Sequence, residues 1–277
     1  MILIADSGST KTQWAVVDNG HIEFEVFTSG INPFYQTQSD IQDLIDTQLI
    51  SELNTTDIEA IYFYGAGCAF EKKNALVRNA LRTHFANAKI EINSDLLGAA
   101  RSLFQHSKGI ACILGTGSNS CYYNGSEIES NVSPLGFILG DEGSGAVLSK
   151  RFVADCLKNQ VSEELKQSFL SKYDLSPATV LENVYKKPFP NRYLAQFTPF
   201  LSVNLQQPEV SNLVLSSFID FFERNVQQYD YKNLPTSFVG SVAHYFKPTL
   251  AAAASQCNIK LHTIQKSPIE GLVRFHS

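Results

Sequence analysis

Two glycine-centred clusters of hydroxyl side chains and a few isolated carboxylates are the residues of this chain best suited to chemistry. The first cluster is Ser7-Gly8-Ser9-Thr10-Lys11-Thr12, directly after Asp6. The second is Gly115-Thr116-Gly117-Ser118-Asn119. Glycine has no Cβ, so its backbone can come close to a ligand. The surrounding N–H groups and hydroxyls can then hold phosphate oxygens. A carboxylate such as Asp6, at a strand end, could hold Mg²⁺ directly or through water. The chemistry these types suggest is phosphoryl transfer, which needs cradled phosphates, a metal and a base aligned with an acceptor hydroxyl. No Gly-x-x-x-x-Gly-Lys-Ser/Thr loop occurs, so the phosphates would not be held by a P-loop.

Each cluster sits between two short apolar runs, residues 2–5 and 14–17 for the first, 110–114 and 121–123 for the second. That pattern predicts two β-hairpins. Asn19-Gly20 and Asn124-Gly125 follow, and each pair favours a two-residue turn into a third strand. Two such units suggest duplicated domains that face one nucleotide from both sides. In the first half, the pattern continues as a strand over 21–28 and a helix over 40–50 capped by Ser39. A strand over 58–64, a helix over 72–85, a strand over 89–92 and a helix over 95–105 complete it. In the second half, helices are predicted over 141–158, 162–173, 177–185, 192–205 and 210–229. A strand over 237–239, a helix over 249–256, a strand over 259–263 and a last helix over 268–276 follow.

Several residues have two readings at this level. Asp95 lies between a strand end and a helix start, where it could be a general base or only a helix N-cap. Asn32, before Pro33, could bind a ligand or simply start a turn. Asp141 and Glu142 begin a predicted helix, where acidic groups also stabilise the dipole. Gly240-Ser241 follows a strand and opens a helix, a geometry that lets adenine and ribose lie on backbone.

The ordered set Asp6-Ser7-Gly8-Ser9-Thr10-Lys11-Thr12, Gly30-Ile31-Asn32-Pro33, Gly65-Ala66-Gly67, Asp95-Leu96-Leu97-Gly98-Ala99, Gly115-Thr116-Gly117-Ser118-Asn119, Leu139-Gly140-Asp141-Glu142-Gly143-Ser144-Gly145 and Val239-Gly240-Ser241-Val242-Ala243 resembles the N-acetylglucosamine kinase family. That family is also called the BadF/BadG/BcrA/BcrD ATPases and belongs to the sugar kinase, Hsp70 and actin superfamily. The resemblance implies an α/β fold, with two ribonuclease-H-like (actin-like ATPase) domains around a nucleotide cleft and the second enlarged by helices. The first domain would span 1–108, with the C-terminal helix 267–277 packing back on it, and the second 109–266. The resemblance makes Asp95 the base. It assigns Asp6 (Mg²⁺, through water), Ser7, Gly8, Ser9, Thr10, Lys11, Thr12, Gly115, Thr116, Gly117, Ser118, Gly240 and Ser241 to ATP. Asn32, Gly67, Asn119, Asp141 and Glu142 fall to the sugar side, Glu142 near the metal or the catalytic water. Residues 185–199 resemble the helical segment beside the nucleotide, although their aromatics also suit plain packing.

The implied activity is ATP- and Mg²⁺-dependent phosphorylation of a sugar hydroxyl, with N-acetylglucosamine at O6 the favoured acceptor. Two rivals are an ATPase that drives a partner protein by domain closure and a sugar or nucleotide sensor without turnover. Two departures border the expected sugar pocket. Ser133-Pro134-Leu135-Gly136 replaces the family's Gly-Gly-Trp-Gly, and Asn32-Pro33-Phe34 replaces Asn-His-Trp.

Composition narrows the setting. The 277 residues are 44% hydrophobic, enough for a large core. A net charge of −5 and mixed charge patterning argue against a general nucleic-acid or membrane-surface binder. The five cysteines are widely spaced with no Cys-x-x-Cys, giving no support to a zinc or iron–sulfur site. The expectation is a cytoplasmic enzyme, as a monomer or homodimer, with a small-molecule sugar as partner and with neither nucleic acid nor membrane.

Overall fold

A computed structural model describes residues 1–53 and 57–277. By contacts the chain divides into two compact units. Unit 1 is Met1–Ala111, Cys121–Ser130 and Ser267–Ser277; unit 2 is Cys112–Ser120 and Asn131–Lys266.

The first sheet contains β1 (Ile2–Ser7), β2 (Lys11–Asp18), β3 (His21–Ser29), β4 (Ala60–Gly65) and β5 (Lys89–Ser94), in the order β3-β2-β1-β4-β5. β1 and β2 are antiparallel, as are β2 and β3, whereas β1 pairs with β4 and β4 with β5 in parallel. The turn at Asn19-Gly20 has positive φ at both residues, 46° and 79°, as a two-residue hairpin loop requires. One face of this sheet carries Leu3, Ala5, Trp14, Val16 and Phe63. They pack under α1 (Gln38–Leu44), its π-helical continuation Ile45–Ile50, and α2 (Glu71–Arg82). Thr37 forms the capping box of α1 with Asp40, so the helix starts before the expected Ser39.

The opposite face carries Ile4, Ala15, Val17 and Tyr64, which pack against Ile269, Leu272 and Val273 of the last helix. Helix α3 (Asp95–Phe104) also lies on β4 and β1. Alternation along a strand puts Asp6 on this same face, one step beyond Ile4.

The second sheet contains β6 (Gly109–Leu114), β7 (Ser118–Tyr123), β8 (Ile128–Val132), β9 (Thr236–Val239) and β10 (Leu261–Gln265), in the order β10-β9-β6-β7-β8. Read from the third strand, both sheets follow one succession: third, second, first, fourth, fifth. The duplicated hairpins are therefore the cores of two ribonuclease-H-like units. The second Asn-Gly does not repeat the first turn. The Asn124 side chain instead accepts the N–H groups of Ser126 and Glu127, both at 3.0 Å, within a longer loop.

Unit 2 is enlarged by α4 (Gly136–Leu139), α5 (Gly145–Leu157), α6 (Glu163–Tyr173), α7 (Pro177–Tyr185), α8 (Pro190–Ala195), α9 (Thr198–Val203) and α10 (Pro208–Arg224). Between β9 and β10 come α11 (Ser241–Tyr245) and α12 (Lys247–Gln256), and α13 (Ile269–His276) ends the chain. The helix expected over 192–205 is two short helices broken at Gln196-Phe197. The break lets Phe197 and Phe200 both turn inward, where they meet Phe169 with ring centres 5.2 and 5.1 Å apart. The helix expected over 141–158 starts only at Gly145, because residues 141–144 form a separate turn.

Candidate functional site

Unit 1 gathers its expected site residues at the carboxyl ends of β1, β4 and β5. Ser7, Gly65 and Ser94 are register partners across those three strands, so Asp6 and Asp95 flank one layer of the sheet. At the start of α3, the Ser94 Oγ accepts the Leu97 N–H at 3.2 Å and is the N-cap. Asp95 is the first helical residue, and its carboxylate accepts the adjacent Leu96 N–H at 2.9 Å. The N-cap reading of Asp95 is thus replaced by Ser94.

Both carboxylates are half-buried, and both are harder to ionise than usual. Burial first, and then the charge of Asp95, raise Asp6 to about 7, against a lowering pull from Lys11. Burial raises Asp95 to about 6, partly offset by the Leu96 N–H. Desolvation penalises the charged form of each carboxylate, and like charges close together add to it.

The hairpin tip at Gly8 is pinned from the inside. Ser7 Oγ and Thr12 Oγ1 are 2.7 Å apart and buried. Ser7 Oγ also donates to the Ile31 carbonyl and accepts the Ile31 N–H, both at 3.0 Å, and Thr12 Oγ1 donates to Ser29 at 3.2 Å. These two hydroxyls, expected at phosphate, are turned into the fold. Gly30 donates its N–H to the Thr10 carbonyl at 3.1 Å, and a Cβ on Gly30 would strike the backbone of Gly8 and Ser9. Lys11 lies over the Phe27 ring, 5.1 Å from its centre.

These ties carry the chain from the hairpin to Asn32, which is 7% exposed. The Asn32 Oδ1 accepts the Phe34 N–H at 3.0 Å, and Gly67 packs directly on the Asn32 amide. Asn32 therefore both forms a turn and meets the other expected sugar-side residue of this unit.

In unit 2 the second hairpin tip is stitched to a helix. The N–H groups of Gly145 and Ala146, at the start of α5, donate to the carbonyls of Gly115 and Thr116 at 2.8 and 3.1 Å. Gly240, with φ +127°, crosses so close to the Leu114 carbonyl that no side chain fits there. A cavity of about 340 Å³ opens beside these turns, lined by Gly115, Thr116, Thr198, Ser241, Val242 and Tyr245 among others. This is the size of a small-ligand pocket. The segment expected beside the nucleotide does both jobs: Ala195, Thr198 and Pro199 line the cavity, while Phe197 and Phe200 are core.

The acidic turn adjoins the same hairpin. The Asp141 carboxylate accepts the Ser118 N–H at 3.2 Å and faces Gly117. Burial raises Asp141 to about 6, opposed by the Ser118 N–H. Asn119 turns its Oδ1 to the Ser120 N–H and the Asn131 Nδ2, both at 2.9 Å. Glu142 is paired with Arg224 at 3.1 Å. Lys150, which donates to the Phe137 carbonyl at 2.6 Å, is a further charge beside Asp141. Lys150, Arg224 and Tyr245 carry no local sequence signal, because each reaches the site only through long-range folding.

The two hairpin tips are open. A Cβ on Gly115 would meet nothing within 4 Å, and one on Gly8 only the Lys11 carbonyl at 3.8 Å. The fold itself thus leaves room for a side chain at both positions. Among the described residues no group of three His, Cys, Asp or Glu could enclose a metal. A cation at Asp6 would therefore be held mainly by phosphate and water, as Mg²⁺ commonly is. Among the described residues, no helix is long and apolar enough to cross a membrane.

No family model and no curated protein matches the chain. Among solved structures, the crystal structure of a candidate N-acetylglucosamine kinase from Porphyromonas gingivalis is 46% identical, with 100% of this chain and 98% of that one covered and a TM-score of 0.97. A second candidate N-acetylglucosamine kinase, from Chromobacterium violaceum, is 15% identical over 100% and 99% of the two chains, with a TM-score of 0.64. A ROK-family glucokinase from Streptomyces griseus, crystallised with glucose and AMPPNP, is 17% identical over 99% and 97%, with a TM-score of 0.59. The last two likenesses establish the fold alone. By its identity and full coverage with the Porphyromonas protein, and by the two repeated ribonuclease-H-like units, this chain belongs to the N-acetylglucosamine kinase family and is a sugar kinase of the sugar kinase, Hsp70 and actin superfamily.

Proposed function

We propose that the protein transfers the γ-phosphoryl group of ATP to O6 of N-acetylglucosamine or a closely related amino sugar, with Asp95 as the general base. The observation that carries this reading is the state of Asp95. Ser94 is the N-cap, the Asp95 carboxylate takes only first-turn backbone N–H, and burial holds its carboxyl at about 6. A carboxylate in that range is mostly ionised at neutral pH and basic enough to accept a proton as the acceptor oxygen attacks.

In the transfer, Asp95 accepts the hydroxyl proton while the acceptor oxygen bonds to the γ-phosphorus and the bond to the β-phosphate oxygen breaks. ADP and the sugar phosphate leave. In unit 1, Asn32 would orient the sugar by hydrogen bonds and the backbone around Gly8 would hold phosphate. In unit 2, Asp141 would hydrogen-bond the sugar, the backbone around Gly115 would hold phosphate, and the cavity lined by Thr198, Ser241 and Tyr245 would take the adenosine. Asp6 would hold Mg²⁺ through water, and the ion supplies charge neutralisation on the phosphates.

The alternative of an ATPase that drives a partner would leave Asp95 without a substrate. The sensor alternative leaves both Asp6 and Asp95 without a reason to be half-buried at a high pKa. The test is an ATP-consumption screen against amino sugars, their N-acetyl forms and muropeptide sugars, with a no-sugar control. ADP release that depends on N-acetylglucosamine supports the reading. Release that is equal without sugar would contradict it.

A further inference from the structure

The family expectation for Glu142 is a place beside the metal or the catalytic water, but its carboxylate is already engaged within unit 2. One oxygen lies 3.1 Å from Arg224 Nη1, and the other accepts from Asn225 Nδ2 at 3.4 Å. The Glu142 side chain is only 12% exposed. Asn225 is buried, and its amide also donates to the Phe221 carbonyl at 3.3 Å. Two turns back along α10, Ser217 Oγ accepts the Gly143 N–H at 3.1 Å. Ser217 and Arg224 lie seven residues apart, so one face of α10 grips both Glu142 and Gly143.

Asp141 directly precedes this gripped pair. It stands in the left-handed region at φ +55°. Its N–H donates to the Pro134 carbonyl at 2.9 Å, and its carbonyl accepts the Ser144 N–H at 3.0 Å. A non-glycine residue holds such a conformation only where its surroundings determine it. Here the surroundings are the Pro134 loop on one side and the end of α10 on the other.

We propose that Arg224 and Asn225 are positioning residues, which act through Glu142 to hold the Asp141 carboxylate in its sugar-binding orientation, and that Glu142 is a strut rather than a ligand of metal or water. The inference rests on the kinase reading above and on Asp141 as a sugar contact. The Arg224 end of the pair is exposed, so losing the pair should register in acceptor binding more than in global stability.

The test uses the full chain with ATP and N-acetylglucosamine, and reads acceptor KM, ATP KM, kcat and Tm. Arg224→Gln and Glu142→Gln should each raise the acceptor KM about tenfold with the ATP KM unchanged. Arg224→Lys should lie near wild type, because the charge is kept. Glu142→Arg alone should be severely impaired. The exchanged double variant, Glu142→Arg with Arg224→Glu, should return to within about threefold of wild type, as coupled residues do in a double-mutant cycle. An active wild type whose exchanged variant stays as poor as Glu142→Arg would overturn the inference alone, because a direct ligand cannot be restored by moving its charge. A wild type that phosphorylates no amino sugar would overturn the kinase reading and this inference with it.

Discussion

Ser94, not its neighbour Asp95, is the N-cap of helix α3: its Oγ accepts the Leu97 N–H at 3.2 Å. The two residues can be separated by substitution. Ser94→Ala should cost about 1 kcal/mol of stability, the usual loss of an N-cap. Asp95→Asn should leave the Tm of unit 1 unchanged or slightly raised. Differential scanning calorimetry on both variants would check this, and a large stability loss in Asp95→Asn would return the cap to Asp95.

The open glycines give a second expectation. Gly115→Val places its side chain where nothing lies within 4 Å, so the fold should survive. If the backbone there cradles phosphate, ATP affinity should fall at least tenfold, a loss of about 1.4 kcal/mol or more. Gly240→Ala is the contrasting variant. At φ +127° and against the Leu114 carbonyl it should destabilise the protein itself. Titration calorimetry with ATP, beside thermal melts, would read both effects. Unchanged ATP affinity in a folded Gly115→Val protein would remove the phosphate cradle from unit 2.

The pH dependence has a definite sign. Asp95 must be ionised to accept a proton, and its pKa is raised to about 6. The kcat/KM should therefore fall as pH drops from about 7, where Asp6 takes up a proton, through about 6, where Asp95 does. An acid limb near pH 4, the ordinary carboxylate range, would show that the buried carboxylates do not govern the rate.

Stability should move the other way. Asp6 has a folded pKa of about 7 against 3.8 when unfolded, so the folded state binds the proton more tightly. Its ionisation is harmless to stability at low pH and costs increasingly as pH rises from about 4 to 7. Asp6→Asn should therefore raise the Tm at pH 8 and give little gain at pH 4. That is the pattern of a residue kept for function at the expense of stability. Equal Tm shifts at both pH values would contradict the buried charge.

Much of this was legible in the sequence because it is local. The two hairpins announce themselves as apolar runs broken by Gly8 and by Gly115-Thr116-Gly117, and the repeated strand order follows from them. Adjacent residues of the same propensity were not separable. Ser94 and Asp95 are both good N-caps, as are Thr37 and Ser39, and only the backbone geometry decides between them. The inward turn of Ser7 and Thr12 was hidden because hydroxyls serve ligand and backbone equally well. Arg224, Asn225 and Ser217 were silent because their partners, Glu142 and Gly143, are more than seventy residues away.

The central claim is that Asp95 is the base of phosphoryl transfer to an amino sugar. The most direct measurement is single-turnover formation of N-acetylglucosamine 6-phosphate from ATP, followed by ³¹P NMR or mass spectrometry, with wild type and Asp95→Asn at saturating substrates. The account predicts 6-phosphate from the wild type, and a rate at least about a hundredfold lower from Asp95→Asn with ATP affinity intact. Equal rates from the two proteins would contradict it and leave Asp95 a structural residue.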